Sequence, residues 1–211
     1  MRKKAASVCM ALGLLCLLAS AALLGYNRWE DYRAGRTAAE VVSAMESMTN
    51  NDADVSMDME LADTGMGSTD GVDSEEGEMT TVEIDGIAYI GTLTIPALNL
   101  ELPIQSQWSY AGLKTAPGRY SGSAWTDDLV ICGHNYTRHF GNLKYLEQGD
   151  EVKFTDVNGT VFSYLVEEVL ILQPTDVDEM LSHEFGEWDF TLFTCTVGGQ
   201  TRVTVRCSRT E

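Results

Sequence analysis

The chain has 211 residues, with 32 acidic against 14 basic side chains and a formal net charge of -18. No nucleotide-binding loop and no internal repeat is visible, and no nucleic-acid partner is expected. Its five cysteines include no Cys-x-x-Cys pair, so a zinc site is not expected.

The chain opens with Met1-Arg2-Lys3-Lys4, followed by an uncharged, Leu- and Ala-rich run over 5–25. At ~1.5 Å per residue this run spans roughly 30 Å, the thickness of a hydrocarbon core. The basic cluster precedes it, so residues 1–4 are expected in the cytoplasm and everything after Tyr26 outside. Tyr26, Arg28, Trp29 and Tyr32 suit the outer interface. A cleaved secretory signal is the alternative, with Ala19-Ser20-Ala21-Ala22 as its small residues. The length of the run favours a retained single-pass anchor. Leu15 stands before Cys16, where a lipoprotein signal needs a small residue.

Residues 26–85 read as a juxtamembrane helix and an acidic stalk. Val41, Val42, Met45 and Met48 recur at helical spacing. From Thr49 to about Asp85 the chain is rich in Asp, Glu, Gly, Ser and Thr, and no Lys or Arg occurs between Arg36 and Lys114. Such a run buries too little apolar surface to offset its ordering entropy, and is expected to be disordered. It carries much of the net charge, which therefore says little about a ligand.

Residues 86–211 are long enough for one domain with a single core. Short apolar or alternating runs predict strands at 88–95, 98–102, 128–132, 151–155, 161–172, 189–194 and 201–207. Asn158-Gly159 marks a hairpin turn. Short helices are expected near 109–113, 140–146 and 177–181. Many short strands separated by turn signals point to a mainly β fold, a closed or nearly closed barrel.

Two phrases carry chemistry. In Leu129-Val130-Ile131-Cys132-Gly133-His134, an imidazole follows an apolar strand. In Phe190-Thr191-Leu192-Phe193-Thr194-Cys195, a thiol ends one, and Arg202 follows after a Gly-rich turn. A catalytic thiol needs a nearby positive charge to ionise, and Arg202 can supply it or hold an oxyanion. His134 can protonate a leaving amine and deprotonate an incoming one. His139 and His183 read as surface residues. Cys132 and Cys207 read as buried free thiols; a disulfide between them stays open.

These phrases resemble the sortases, membrane-anchored cysteine transpeptidases of Gram-positive bacteria. The resemblance includes Thr94-Ile95-Pro96-Ala97-Leu98-Asn99-Leu100 with Leu102-Pro103-Ile104, and Gly133-His134. It also includes Phe140-Gly141-Asn142-Leu143 with Leu146 and Gly149-Asp150, and above all Thr191-Leu192-Phe193-Thr194-Cys195 with Arg202. It implies an eight-stranded β-barrel with short helices. It implies His134, Cys195 and Arg202 as catalytic residues, and Thr194 as the neighbour that helps seat the peptide. The reaction implied is cleavage of a sorting signal such as Leu-Pro-x-Thr-Gly after its Thr, through a thioester. The partners implied are surface proteins bearing that signal and an amine of a wall precursor or of another acceptor. No cofactor is expected; calcium held by Asp127, Asp128, Glu184 and Glu187 stays open, as in some members. The turn after Cys195 is short, and neither an Asp-Pro-aromatic lid before the barrel nor a second apolar segment after it is visible, which points away from a typical pilus-polymerising class.

The L,D-transpeptidases carry Ser-His-Gly-Cys where this chain has Phe-Thr-Cys-Thr, and the caspase phrase Gln-Ala-Cys-x-Gly is absent. The non-enzymatic alternative is an extracellular β-domain that binds a cell-surface partner.

Overall fold

A computed structural model describes residues 2–58, 78–181 and 188–210. The chain divides into two compact units, Met1–Arg33 and Ala34–Glu211. Helix α1 is Arg2–Asp58. Its stretch Leu12–Met48 is long and apolar enough, by length and composition, to cross a membrane. Leu17, Leu18, Leu23 and Leu24 are exposed along it, side chains for which hydrocarbon is the better solvent. The first unit is a candidate membrane anchor.

The second unit is built on strands β1 (Val82–Ile84), β2 (Ile87–Ile95), β3 (Leu100–Gln105), β4 (Gly118–Ser121), β5 (Leu129–Gly133), β6 (Glu151–Asp156), β7 (Val161–Leu172), β8 (Phe190–Cys195) and β9 (Arg202–Arg209). They are ordered β1-β2-β3-β4-β5-β8-β9-β7-β6, and β6 also pairs with β2. That last pairing closes the sheet. Strands β2 to β9 form the expected eight-stranded barrel, and β1 is a ninth strand lying antiparallel on the start of β2. Inward residues such as Leu93, Ile131, Phe154, Phe190, Leu192 and Val205 fill the barrel without solvent exposure. The expected short helices are 3-10 turns at Gly112–Lys114, Phe140–Tyr145 and Asp178–Met180. The hairpin at Asn158-Gly159 forms, with Gly159 at φ 84° and the Asp156 carboxylate accepting from the Asn158 and Thr160 amides.

Several expectations need correction. The folded unit begins at Ala34, well before 86. Helix α1 continues through Asp58, past the break expected at Thr49, while 59–77 of the acidic stalk lies outside the described residues. Ala34, Ala38, Val41, Val42 and Met45 are buried, and Val41 and Met45 pack with Tyr89 and Ala116. Gly35 lies so close to the Arg138 side chain that an added Cβ would sit 2.3 Å from it. His139, expected at the surface, is fully buried, with the Tyr136 ring 5.5 Å from its own. His183, Glu184 and Glu187 lie outside the described residues. Asp127 pairs with Arg209 at 2.7 Å, and Asp128 accepts from the Ser123 amide and the Thr126 hydroxyl.

Candidate active site

Strands β5, β8 and β9 lie side by side. β5 and β8 are parallel, with Gly133 opposite Thr194; β8 and β9 are antiparallel, with Cys195 opposite Arg202. His134 follows Gly133, so it leaves β5 level with Cys195. Neighbouring strands are ~4.8 Å apart, so His134, Cys195 and Arg202 form one row across three strand ends. All three are half-buried.

Alternation along the strands sorts the rest. Phe190, Leu192 and Thr194 face the interior, so Thr191, Phe193 and Cys195 face outward. Arg202, Thr204 and Arg206 share that outer face on β9, as do Val130 and Cys132 on β5. Thr194, expected to help seat a peptide, is 3% exposed and donates its hydroxyl to the Gly133 carbonyl at 2.8 Å. The bond locks the end of β5, and with it His134, to β8.

Each of the three residues has a local scaffold. Gly133 is needed because a Cβ there would meet the Phe140 ring at 2.7 Å. The Phe140 amide in turn bonds to the His134 carbonyl at 3.2 Å, so the chain folds back sharply after the histidine. The Tyr136 ring lies 5.1 Å from the imidazole. The turn from Cys195 to Arg202 is tight: the Thr196 amide bonds to Thr201 O at 3.0 Å, and Gly198 and Gly199 adopt φ of 89° and 73°, which glycine does without strain. Arg202 Nη1 donates to Gly199 O and Thr201 O, each at 3.1 Å, so the guanidinium is braced on its own turn.

Cys195 is a free thiol, as are Cys132 and Cys207, which are buried as expected. Cys132 faces outward from β5 and Cys207 faces the core with β8 between them, so the strands hold them apart. Burial pushes the Cys132 thiol up to about 12, and the nearby Cys195 adds to the shift. Burial raises Cys207 as well. Both stay protonated at neutral pH, which leaves Cys195 as the accessible thiol of the barrel.

Two features of the site escaped sequence reasoning. One is Tyr136 against His134. The other is an aromatic wall: Tyr120 meets Phe193 edge-on at 5.3 Å, and Trp108 stacks on Tyr120 at 5.9 Å. Gly118 permits this, since a Cβ there would sit 2.9 Å from Trp108 Cα. Phe193 was legible as part of a strand; its partners lie on a loop and a short strand without apolar periodicity. Among the described residues no group of three or more His, Cys, Asp or Glu side chains converges as a metal site.

A Sortase domain family model matches residues 93–210, more than half of the chain. Sortase A of Bacillus anthracis is 24% identical over 194 residues, covering 86% of this chain and 84% of that protein. Among solved structures, sortase C1 from Streptococcus agalactiae superposes with a TM-score of 0.53 at 27% identity, covering 61% of this chain and 71% of the other. A lid mutant of sortase A from Corynebacterium diphtheriae gives 0.52 at 26% identity, covering 58% and 70%. With the barrel and the row of His134, Cys195 and Arg202 already in view, the match over 93–210 places this chain in the sortase family of cysteine transpeptidases.

Proposed function

We propose that this chain cleaves the C-terminal sorting signal of a surface protein and transfers the protein to an amine of the cell wall. The observation that carries the reading is the pairing of Cys195 with Arg202 beside the locked Gly133–Thr194 strand end. The Cys195 thiolate attacks the carbonyl carbon of the signal's Thr, in a Leu-Pro-x-Thr-Gly-like segment. Arg202 steadies the resulting oxyanion with its remaining guanidinium nitrogens. The C–N bond breaks as His134 gives its proton to the departing amine, leaving a thioester on Cys195. A second amine loses its proton to His134 and attacks the thioester. The C–S bond breaks and the thiolate returns. Thr194 acts here as a positioning residue, through the strand end that carries His134. The anchor orientation follows the basic residues at 2–4: N-terminus in the cytoplasm, catalytic domain outside.

The test uses the full chain in detergent micelles with a fluorogenic sorting pentapeptide and hydroxylamine. The native chain releases a hydroxamate and Cys195→Ala releases none. Activity that survives in Cys195→Ala contradicts the assignment; no hydroxamate from the native chain favours the partner-binding domain instead.

A further inference from the structure

The loop that follows His134 is folded on itself. The Phe140 amide bonds to the His134 carbonyl at 3.2 Å, and the His139 and Gly141 amides both bond to the Tyr136 carbonyl, at 3.0 and 2.9 Å. Asn142 Nδ2 donates to the Thr137 carbonyl at 3.2 Å. The Tyr136 ring neighbours two imidazoles, 5.1 Å from that of His134 and 5.5 Å from that of His139. Little slack is left at either end. A Cβ on Gly141 would meet the Asn135 carbonyl oxygen at 2.6 Å, and one on Gly133 would meet the Phe140 ring at 2.7 Å. A loop packed this closely transmits strain rather than absorbing it. A push on one of its residues therefore reaches His134.

The point at which helix α1 can push is Arg138. From Ala34 onward the helix buries Ala34, Ala38, Val41, Val42 and Met45, a face at helical spacing. Ala38 joins the cluster that holds Phe140 and Leu143. Gly35 lies beside that face, half-buried, and the Arg138 stem lies over it. A Cβ at position 35 would sit 2.3 Å from Arg138 Cδ, 3.1 Å from Cγ and 2.9 Å from Cβ. Swinging the end of the arginine clears the first contact but not the last, because Arg138 Cβ is fixed to the loop backbone. The helix thus carries glycine where the loop touches it, although alanine is the better helix former. The Thr194–Gly133 bond fixes the strand before His134. We propose that Arg138 fixes the loop after it: the arginine is a positioning residue whose stem, seated on Gly35, holds 134–141 against α1 and keeps the His134 imidazole level with Cys195. This rests on the transpeptidase reading above.

The experiment compares the native full-length chain with Gly35→Ala, Arg138→Ala, Arg138→Lys and the double variant carrying both alanines, all in detergent micelles. Donor kcat and KM are measured, together with deuterium uptake by peptides covering 134–142. Gly35→Ala is expected to lower kcat about ten-fold, as a misplaced proton donor does, with KM within about two-fold. Uptake over 134–142 rises. Arg138→Ala unseats the loop without a clash and lowers kcat about three-fold. In the double variant the clash is gone, so kcat returns to the level of Arg138→Ala, a coupling that independent sites do not show. Arg138→Lys keeps the stem and holds kcat within about two-fold of the native chain. An unchanged kcat in Gly35→Ala, losses that add in the double variant, or a fall carried by KM overturns the proposal. Should Gly35→Ala fail to fold, the two Arg138 variants decide alone, and equal kcat in them overturns it. A native chain without turnover overturns the underlying function. Deuterium uptake still decides the brace in that case: unchanged uptake in Gly35→Ala and Arg138→Ala overturns it.

Discussion

The three site residues are set by different distances in sequence, and that decides what could be read from the chain. Cys195 and Arg202 face each other because one short Gly-rich turn fixes their register, a local fact visible in the sequence. His134 is a strand end, also visible. The bond from Thr194 to Gly133 joins residues far apart in the chain, and no periodicity reports it. The burial of His139 depends on the fold-back between His134 and Phe140, which a Gly-His phrase does not announce. Arg202 offers a test at this scale. Lysine keeps the charge but loses the fork that braces Nη1 on Gly199 and Thr201. If the remaining nitrogens hold the oxyanion, Arg202→Lys lowers kcat by roughly 100-fold or more, in the range of a lost oxyanion donor. Circular dichroism stays unchanged. Native kinetics in the variant would remove Arg202 from the mechanism.

Most elements announced themselves by period-two alternation or by apolar runs; two strands did not. β1 sits beside the acidic stretch, and its signal was the Asp85-Gly86 turn, where φ is 51° and 76°. Such a pair of left-handed residues makes a tight hairpin. β4 is Gly118-Arg119-Tyr120-Ser121, with no alternation to detect. The juxtamembrane part of helix α1 was legible from its spacing but its packing was not: Val41, Val42 and Met45 are each 7% exposed. Their burial contributes on the order of 1.5–3 kcal/mol apiece, as an upper estimate. A domain cut at Gly86 loses that packing and β1 together. The fragment 34–211 should therefore unfold at a clearly higher urea concentration than 86–211. Equal midpoints would show that the helix adds nothing to the barrel.

At the scale of the molecule, the acidic stretch holds much of the charge while the barrel keeps its buried thiols and Tyr164 neutral. Burial raises the pKa of Cys132 to about 12 and lifts Cys207 and Tyr164 as well. An unfolded thiol ionises from a value near 9.0; the folded ones hold their protons. Below that pH both states are protonated and the contribution to stability is fully present. Above it the unfolded chain gains charge and the folded state loses ground, by up to ~1.4 kcal/mol per pH unit for each such group. Urea midpoints should accordingly fall between pH 9 and 11, and less steeply in Cys132→Ala; a constant midpoint over that range would contradict the buried, neutral thiols. The proposed chemistry rests on a single sulfur, and trapping its acyl intermediate is the direct test. The full chain is mixed with a sorting peptide without added amine, quenched in acid and mapped by mass spectrometry. The peptide's N-terminal fragment, ending in Thr, is expected on Cys195 as a thioester that hydroxylamine releases. Cleavage with no adduct, or an adduct on Cys132, would contradict it.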